Sequence, residues 1–186
     1  DKSEHGAETM EEVLAALECA PNGAFLGSSS ITTPFPISLW IYNAFANSTK
    51  GVGKWIKNSF GNPPILISTV NPTLRAKMAS NTLQNFGYFR SSVTSEIIPH
   101  PKNQRKAKVR YTVDMKQPYI LDSISYVNFF PFMRPLVDST RNESFLKKGD
   151  AFSAYKLDSE RNRIANLLQN NGYYYFKPDY LTYKAD

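Results

Sequence analysis

The chain has 186 residues, enough for one large domain or two small ones. Hydrophobic residues make up 41% and aromatic residues 13%, so a packed core is expected rather than wholesale disorder. The formal net charge of +6 favours contact with anionic surfaces without proving it. The single cysteine, Cys19, excludes an intrachain disulfide. No apolar run is long enough to span a membrane. Residues 1–7 lack the apolar region of a signal peptide, so we expect that any signal peptide was removed or was never present.

The first predicted element is a short helix. Thr9 and Glu12 have the spacing of a capping box, which predicts a helix start at Thr9. Apolar residues then follow at helical spacing and define one buried face: Met10, Val13, Leu14 and Leu17. Cys19, at the end of this helix, is interpreted as a half-buried small residue.

Residues 20–64 are rich in aromatic residues and prolines. We expect a largely irregular insertion packed onto the next unit, with a short helix over Leu39–Ala46. The alternative is an aromatic patch that contacts a membrane; aromatic residues more often fill cores.

The next helix has a clear start and stop. Asn71 is a good cap, Pro72 suits the first helical position and Gly87 ends the helix. Its predicted buried face consists of Leu74, Met78, Ala79, Leu83 and Phe86. A hairpin is predicted next, with a strand over Tyr88–Ile98, a turn over Pro99–Gln104, and a strand whose apolar and polar residues alternate over Ala107–Val113.

A second series of elements follows Gln117-Pro118. It consists of a strand over Tyr119–Val127, a turn at Gly149, a helix capped by Ser153 and ended by Gly172, and a strand over Tyr173–Tyr183. Pro131 and Pro135 exclude a long helix between the first of these strands and the turn. We expect no closing strand to match Ala107–Val113 in this second series.

The two series contain a repeat. Leu83–Phe89 recurs as Leu168–Tyr174, with Gly87 and Gly172 in corresponding positions. Each copy ends a helix with a glycine that can take positive φ and continues with an aromatic pair that suits a strand.

No pattern in the sequence indicates an enzyme, a metal site or a cofactor. His5 and His100 have no ligand at metal spacing, and neither a nucleophile elbow nor a phosphate-binding loop is present. Two acidic pairs, Glu11 with Glu12 and Asp158 with Glu160, are predicted on helix surfaces and interpreted as solvated charges.

The repeat resembles the POTRA domain, a strand–helix–helix–strand–strand unit. The likeness covers about residues 65–186 and is most specific where a Leu-Lys-Lys-Gly-Asp turn precedes the last helix and Gly172 precedes two tyrosines. The preceding third resembles the TamA-like lipoproteins of the BamA/TamA family of Gram-negative surface antigens, in the following residues: Pro21, Asn22, Leu26, Gly27, Leu39, Trp40, Tyr42, Asn43, Pro63, Pro64 and Ile65.

The resemblance implies an α/β (α+β) fold of two tandem POTRA-like domains. The first would span residues 1–116 with the insertion at 20–64 and lack a clear opening strand, and the second would span 117–186 and lack its closing strand. It also implies a periplasmic location at the outer membrane, ahead of a C-terminal β-barrel that this sequence does not contain. Cys19 does not match the lipid-bearing cysteine of such lipoproteins, so we expect any anchor to lie upstream.

The leading functional hypothesis is a non-enzymatic module that helps insert or export outer-membrane proteins. Its partners would be unfolded outer-membrane protein segments, periplasmic proteins and its own barrel. The glycines Gly87, Gly149 and Gly172 are predicted structural turns. Partner binding by strand edges is predicted at Tyr88, Phe89, Val93, Tyr173, Tyr175 and Tyr180.

The alternative hypothesis is a nucleic-acid-binding protein. It would use the basic run over residues 102–110 and the aromatic run Tyr173–Phe176. We favour the assembly hypothesis without nucleic acid, because a basic strand face is usually only solvated.

Overall fold

The computed structural model describes residues 4–19, 24–25, 28–32 and 35–185. Pro21, Asn22, Leu26 and Gly27, which contribute to the family resemblance, lie outside these residues. In chain order the described elements are α1 (Glu4–Leu17), β1 (Ala24–Phe25), β2 (Ser28–Thr32), α2 (Ile37–Ala44), α3 (Gly51–Phe60), α4 (Ile67–Val70), α5 (Pro72–Asn85), β3 (Ser92–His100), β4 (Asn103–Asp114), α6 (Arg134–Ser139) and α7 (Ala154–Asn170), with 3₁₀ turns at Arg141–Glu143 and Pro178–Tyr180. The fold is mixed α/β, as predicted.

The chain forms two compact units, each built from separate stretches of sequence. Unit 1 consists of Asp1–Thr9, Asn81–Ser92 and Asp114–Asp186, and unit 2 of Met10–Ser80 and Val93–Val113. Unit 2 has ten basic and four acidic residues, whereas unit 1 has twelve of each, so the whole formal charge of +6 belongs to unit 2. The domain boundary near Gln117 stays a prediction.

Helix α5 begins where its sequence predicts. The Asn71 side chain accepts a hydrogen bond from the backbone N–H of Leu74 at 3.2 Å, and Pro72 opens the helix. The predicted buried face is correct for Ala79, Leu83 and Phe86 but wrong for Leu74 and Met78, which are about half exposed. Ala76 lies on the buried side instead.

Helix α1 begins at Glu4, five residues before the predicted capping box. Thr9 is therefore inside the helix, where its hydroxyl is fully buried and donates to the backbone oxygen of His5 at 2.7 Å. The capping-box prediction is wrong, because a threonine hydroxyl within a helix can satisfy itself on the preceding turn. Val13 and Leu17 are buried as expected, and Leu14 is exposed.

The predicted hairpin forms as β3 and β4, joined at residues 101–102. Strand β3 starts at Ser92 rather than Tyr88, because residues 88–91 make a turn in which Ser91 N–H donates to the Tyr88 oxygen at 3.1 Å. The alternation along β4 holds over its last residues, where Val109, Tyr111 and Val113 are more buried than their neighbours.

Two predicted strands are wrong. Tyr119–Val127 contains only an isolated bridge between Ile120 and Ala151, and Tyr173–Tyr183 contains turns and the 3₁₀ helix Pro178–Tyr180. A strand needs a chain beside it to accept its backbone hydrogen bonds. At these two places, aromatic residues that favour β structure do not form a strand by themselves.

Residues 35–64 are more helical than predicted. The short helix at Leu39–Ala46 appears as α2 over Ile37–Ala44, but α3 over Gly51–Phe60 was not expected in a largely irregular segment. Within the described ranges, no helix has the length and apolar character needed to cross a bilayer.

The sequence repeat forms the same turn twice. Tyr88 N–H donates to the Leu83 oxygen at 2.9 Å, and Tyr173 N–H donates to the Leu168 oxygen at 3.0 Å. The glycine between each pair has positive φ, at 87° for Gly87 and 98° for Gly172. This is a Schellman-type helix end, in which the glycine takes a conformation that other residues avoid.

Candidate functional site

A large aromatic groove lies within unit 1. Its volume is about 1370 Å³, and its lining includes two segments that come from distant parts of the sequence. We call residues 119–128 the first wall and residues 173–185 the second wall. Between them, Met133, Leu146 and Ile164 give the groove an apolar lining.

The groove lies beside the core of unit 1. Helix α7 contributes Ile164 and Leu168 to that core, and the α6 region contributes Met133 and Val137. Ser153 caps α7 as predicted, accepting from the Lys156 N–H at 3.4 Å. Because both walls pack side chains against this cluster, α7 is the element that positions them.

The first wall begins with an isolated β-bridge and has no backbone partner beyond it. Leu121 N–H donates to the Asp150 oxygen at 2.8 Å, and Phe152 N–H donates to the Tyr119 oxygen at 2.8 Å. Beyond this point, the backbone N–H and C=O groups of residues 122–128 make no backbone hydrogen bond within the described chain.

A side chain anchors the first wall instead. The Tyr126 hydroxyl donates to Glu160 Oε1 of α7 at 2.7 Å and lies 2.8 Å from Ser144 Oγ. The Arg141 guanidinium sits over the Tyr126 ring, 5.2 Å from its centroid. Burial raises the pKa of the Tyr126 hydroxyl, so this anchor stays neutral at ordinary pH.

Glu160 is the centre of a buried polar network. Its side chain is fully buried and accepts hydrogen bonds from Arg163 at 2.6 and 3.0 Å and from the Phe145 N–H at 2.9 Å. Burial by itself would raise the pKa of Glu160, but the hydrogen bonds from Arg163, Tyr126 and Phe145 outweigh it and hold the pKa below its ordinary value. The predicted solvated position of Glu160 is therefore wrong.

The second wall is also held against α7 by side-chain hydrogen bonds. Tyr183 donates its hydroxyl hydrogen to the Leu157 oxygen at 2.7 Å, and Gln169 donates to the Phe176 oxygen at 2.7 Å. Burial, with Glu160 and Tyr126 nearby, raises the pKa of Tyr183 to about 12. Residues 182–185 have no backbone-to-backbone hydrogen bond in the described structure.

Glu160 has a structural role beside the groove. Glu160 has its oxygens occupied by four donors and no exposed surface, so it is not positioned to exchange protons with a substrate. The groove presents apolar side chains, polar side chains such as Asp122 and Lys184, and the open backbone groups of its two walls. Among the described residues, no cluster of three or more His, Cys, Asp or Glu side chains is placed to hold a metal ion.

The predicted binding residues are not on one strand edge. Tyr173, Tyr175, Tyr180 and Phe89 line the groove without belonging to a strand. Tyr88 is fully buried, with His5 stacked on its ring at 5.7 Å, and is inaccessible to a partner. Val93 alone of the six lies in a strand, in β3 of unit 2. Whether any of them binds a partner stays a prediction.

The predicted turn glycines all have positive φ. Gly149 has φ of 91° and lies in the turn that leads to the Ile120–Ala151 bridge. Gly87 and Gly172 occupy the matching helix ends.

Sequence reasoning missed the residues that hold the walls. The sequence pattern places Tyr126 and Tyr183 in strands and Glu160 on a helix surface. A signal was available for Glu160: it lies three residues after Leu157 and four before Ile164, on the apolar face of α7, with Arg163 one turn away.

The aromatic and basic segments of the nucleic-acid hypothesis differ in exposure and belong to different units. Tyr174 and Tyr175 are 78% and 90% exposed, whereas Tyr173 and Phe176 pack against the core of unit 1. In β4, Lys106, Lys108 and Arg110 are exposed, and Arg110 pairs with Glu96 at 3.3 Å. The basic run belongs to unit 2 and the aromatic run to unit 1.

Comparisons with family models, curated proteins and solved structures find no match to this chain.

Proposed function

We propose that this protein is a non-enzymatic binding module that holds an extended polypeptide segment in the aromatic groove of unit 1. The observation that carries the proposal is that both walls leave backbone N–H and C=O groups unpaired while side chains fix their positions. An incoming strand would supply the missing hydrogen bonds to either wall by main-chain pairing.

The groove lining suits such a segment. A strand presents side chains alternately to its two faces, so every second residue would meet the apolar surface formed by Met133 and Ile164. Affinity that comes mainly from backbone pairing depends little on the ligand sequence. The module therefore fits a role that requires many different clients.

The tandem POTRA-like arrangement belongs to this proposal. Support comes from the matching backbone hydrogen bonds and positive φ of the turns at Gly87 and Gly172. In this view the clients are unfolded outer-membrane protein segments, and the module works on the periplasmic side of the outer membrane in insertion or export. Binding is expected to be weak, because the client loses conformational freedom when it is ordered.

The test is amide chemical-shift mapping with a barrel-strand peptide of alternating apolar and polar residues. We expect shifts at residues 122–128 and 182–185 toward β-strand values. The matched control is the same peptide with alternate backbone amides N-methylated, which keeps the side chains and removes half of the backbone donors. The control is expected to give much smaller shifts.

Two outcomes would contradict the proposal. Equal shifts with the N-methylated peptide would show that backbone pairing is not used, and the absence of shifts at millimolar peptide would show that the groove does not bind strands. Retention on a single-stranded oligonucleotide column, lost as salt is raised, would favour the nucleic-acid alternative.

A further inference from the structure

A second surface, in unit 2, combines exposed apolar side chains with lysines. We define the aromatic–lysine surface by Val52, Lys54 and Trp55 of α3 and by Lys50 just before α3. Trp55 is 61% exposed and Val52 72%, so two large apolar side chains of one helix lie open to solvent.

The packing of α2 and α3 explains why these side chains point outward. Gly53 lies so close to Ser48 that an added Cβ would stand 2.7 Å from its Oγ, and Lys57 donates to the Ala46 oxygen at 3.2 Å. The side of α3 that carries residues 53 and 57 therefore meets the α2 region. Val52 and Trp55, three residues apart, share another side and are left uncovered.

The stretch of sequence that carries this surface has charged residues of one sign. The sequence contains no Asp or Glu between Glu18 and Glu96, whereas six basic residues fall within that stretch. Lys50 and Lys54 are both exposed. Unit 2 as a whole carries the formal charge of +6, so an anionic partner is favoured.

We infer that the aromatic–lysine surface binds the surface of an anionic lipid bilayer. Tryptophan is enriched at membrane–water interfaces, and a short amphipathic helix with lysines can lie in the interface plane. Protein–protein interfaces are also rich in aromatic residues but depleted of lysine, so the combination seen here favours lipid. This inference uses residues of unit 2 and is independent of the groove.

Trp55 provides a probe of this surface. The chain contains only Trp40 and Trp55, so a Trp40→Phe variant reports on Trp55 alone. We expect its fluorescence to shift to shorter wavelength with vesicles of phosphatidylglycerol and phosphatidylcholine, and not with vesicles of phosphatidylcholine alone. The shift should weaken as salt is raised, because the lysines contribute through charge.

Vesicle co-sedimentation of matched variants measures the same interaction without fluorescence. Lys50→Gln and Lys54→Gln should each lower the partition coefficient about fivefold, and Trp55→Ala about tenfold or more. The control Lys147→Gln removes an exposed lysine of unit 1 and should leave partitioning unchanged.

The inference is overturned if anionic vesicles neither shift the fluorescence nor sediment the protein. It is also overturned if Lys147→Gln weakens binding as much as Lys54→Gln, since the charge effect would then be nonspecific. Concentration-dependent self-association that Trp55→Ala abolishes, with no vesicle binding, would identify the surface as a protein interface instead.

Discussion

The turns at Gly87 and Gly172 have the same backbone hydrogen bonds but different surroundings. A Cβ added to Gly87 would stand 2.9 Å from the Phe152 oxygen and 3.4 Å from the Tyr119 oxygen. A Cβ added to Gly172 would have nothing within 4 Å. The first turn is enclosed by neighbouring chain, and the second is open.

The chain segments that follow the two turns also differ in what holds them in place. After Gly87 the chain makes a short turn and enters the β3–β4 hairpin, whose strands pair with each other. After Gly172 it becomes the second wall, which is held by side chains such as Tyr183. The comparison teaches that a helix end is encoded locally, whereas a strand depends on a partner from elsewhere.

The largest effect is expected from removing the buried carboxylate that anchors the first wall of the groove. Glu160→Ala leaves Arg163 largely buried without its carboxylate and releases Tyr126 from α7. Loss of one partner of a buried ion pair costs about 3–5 kcal/mol, which urea denaturation would measure. The control Glu96→Ala breaks an exposed pair with Arg110 and should cost at most about 1 kcal/mol. Equal costs would show that the network does not hold unit 1.

The same variant tests a pH dependence. The pKa of Glu160 in the folded protein lies below its ordinary value of 4.5, so its ionised form stabilises the fold above that pH. This contribution is lost as pH falls through the lower, folded pKa. We expect Glu160→Ala to flatten the decline of unfolding free energy below pH 4.5, measured by urea denaturation at several pH values. An unchanged decline would place the acid sensitivity elsewhere.

A direct test of the comparison is the pair Gly87→Ala and Gly172→Ala. Both substitutions force a side chain into positive φ, which costs about 1–2 kcal/mol. At Gly87 the close Phe152 oxygen adds steric strain, so the total is expected to reach about 3 kcal/mol. Thermal or urea unfolding of both variants would measure the difference. If the two costs are the same, the enclosed and open surroundings have no energetic consequence.

The smallest effect is expected from Tyr183→Phe. Loss of the hydrogen bond to the Leu157 oxygen should cost about 1 kcal/mol. Because the pKa of Tyr183 is raised from 10.0 to about 12, its neutral form stabilises the fold below pH 10, and this is lost between pH 10 and 12. The variant should show less alkaline destabilisation. Tyr175→Phe, at a 90% exposed position, is the control and should behave as the parent.

Much of the local structure follows from the sequence. Asn71-Pro72 starts α5, Ser153 caps α7, and the alternation before Asp114 marks β4, because caps and strand periodicity depend on near neighbours. The turn glycines follow from the same local chemistry.

The candidate site was less predictable. The burial of Glu160 depends on Tyr126 and on Phe145, which are 34 and 15 residues away in sequence. The absence of strands in the two walls depends on where the rest of the chain lies, and no local pattern encodes that. Sequence therefore predicted aromatic residues at the groove and missed what holds them.

The open turn at Gly172 has a mechanical consequence for the groove. Since nothing lies within 4 Å of an added Cβ there, a larger side chain at this position meets only the cost of positive φ. The wall that follows is held by the hydrogen bonds of Tyr183, Gln169 and Arg161 and by three side chains packed on the core, Tyr173, Phe176 and Leu181. Moving this wall away from α7 therefore requires side-chain contacts to break, whereas no β-ladder has to separate.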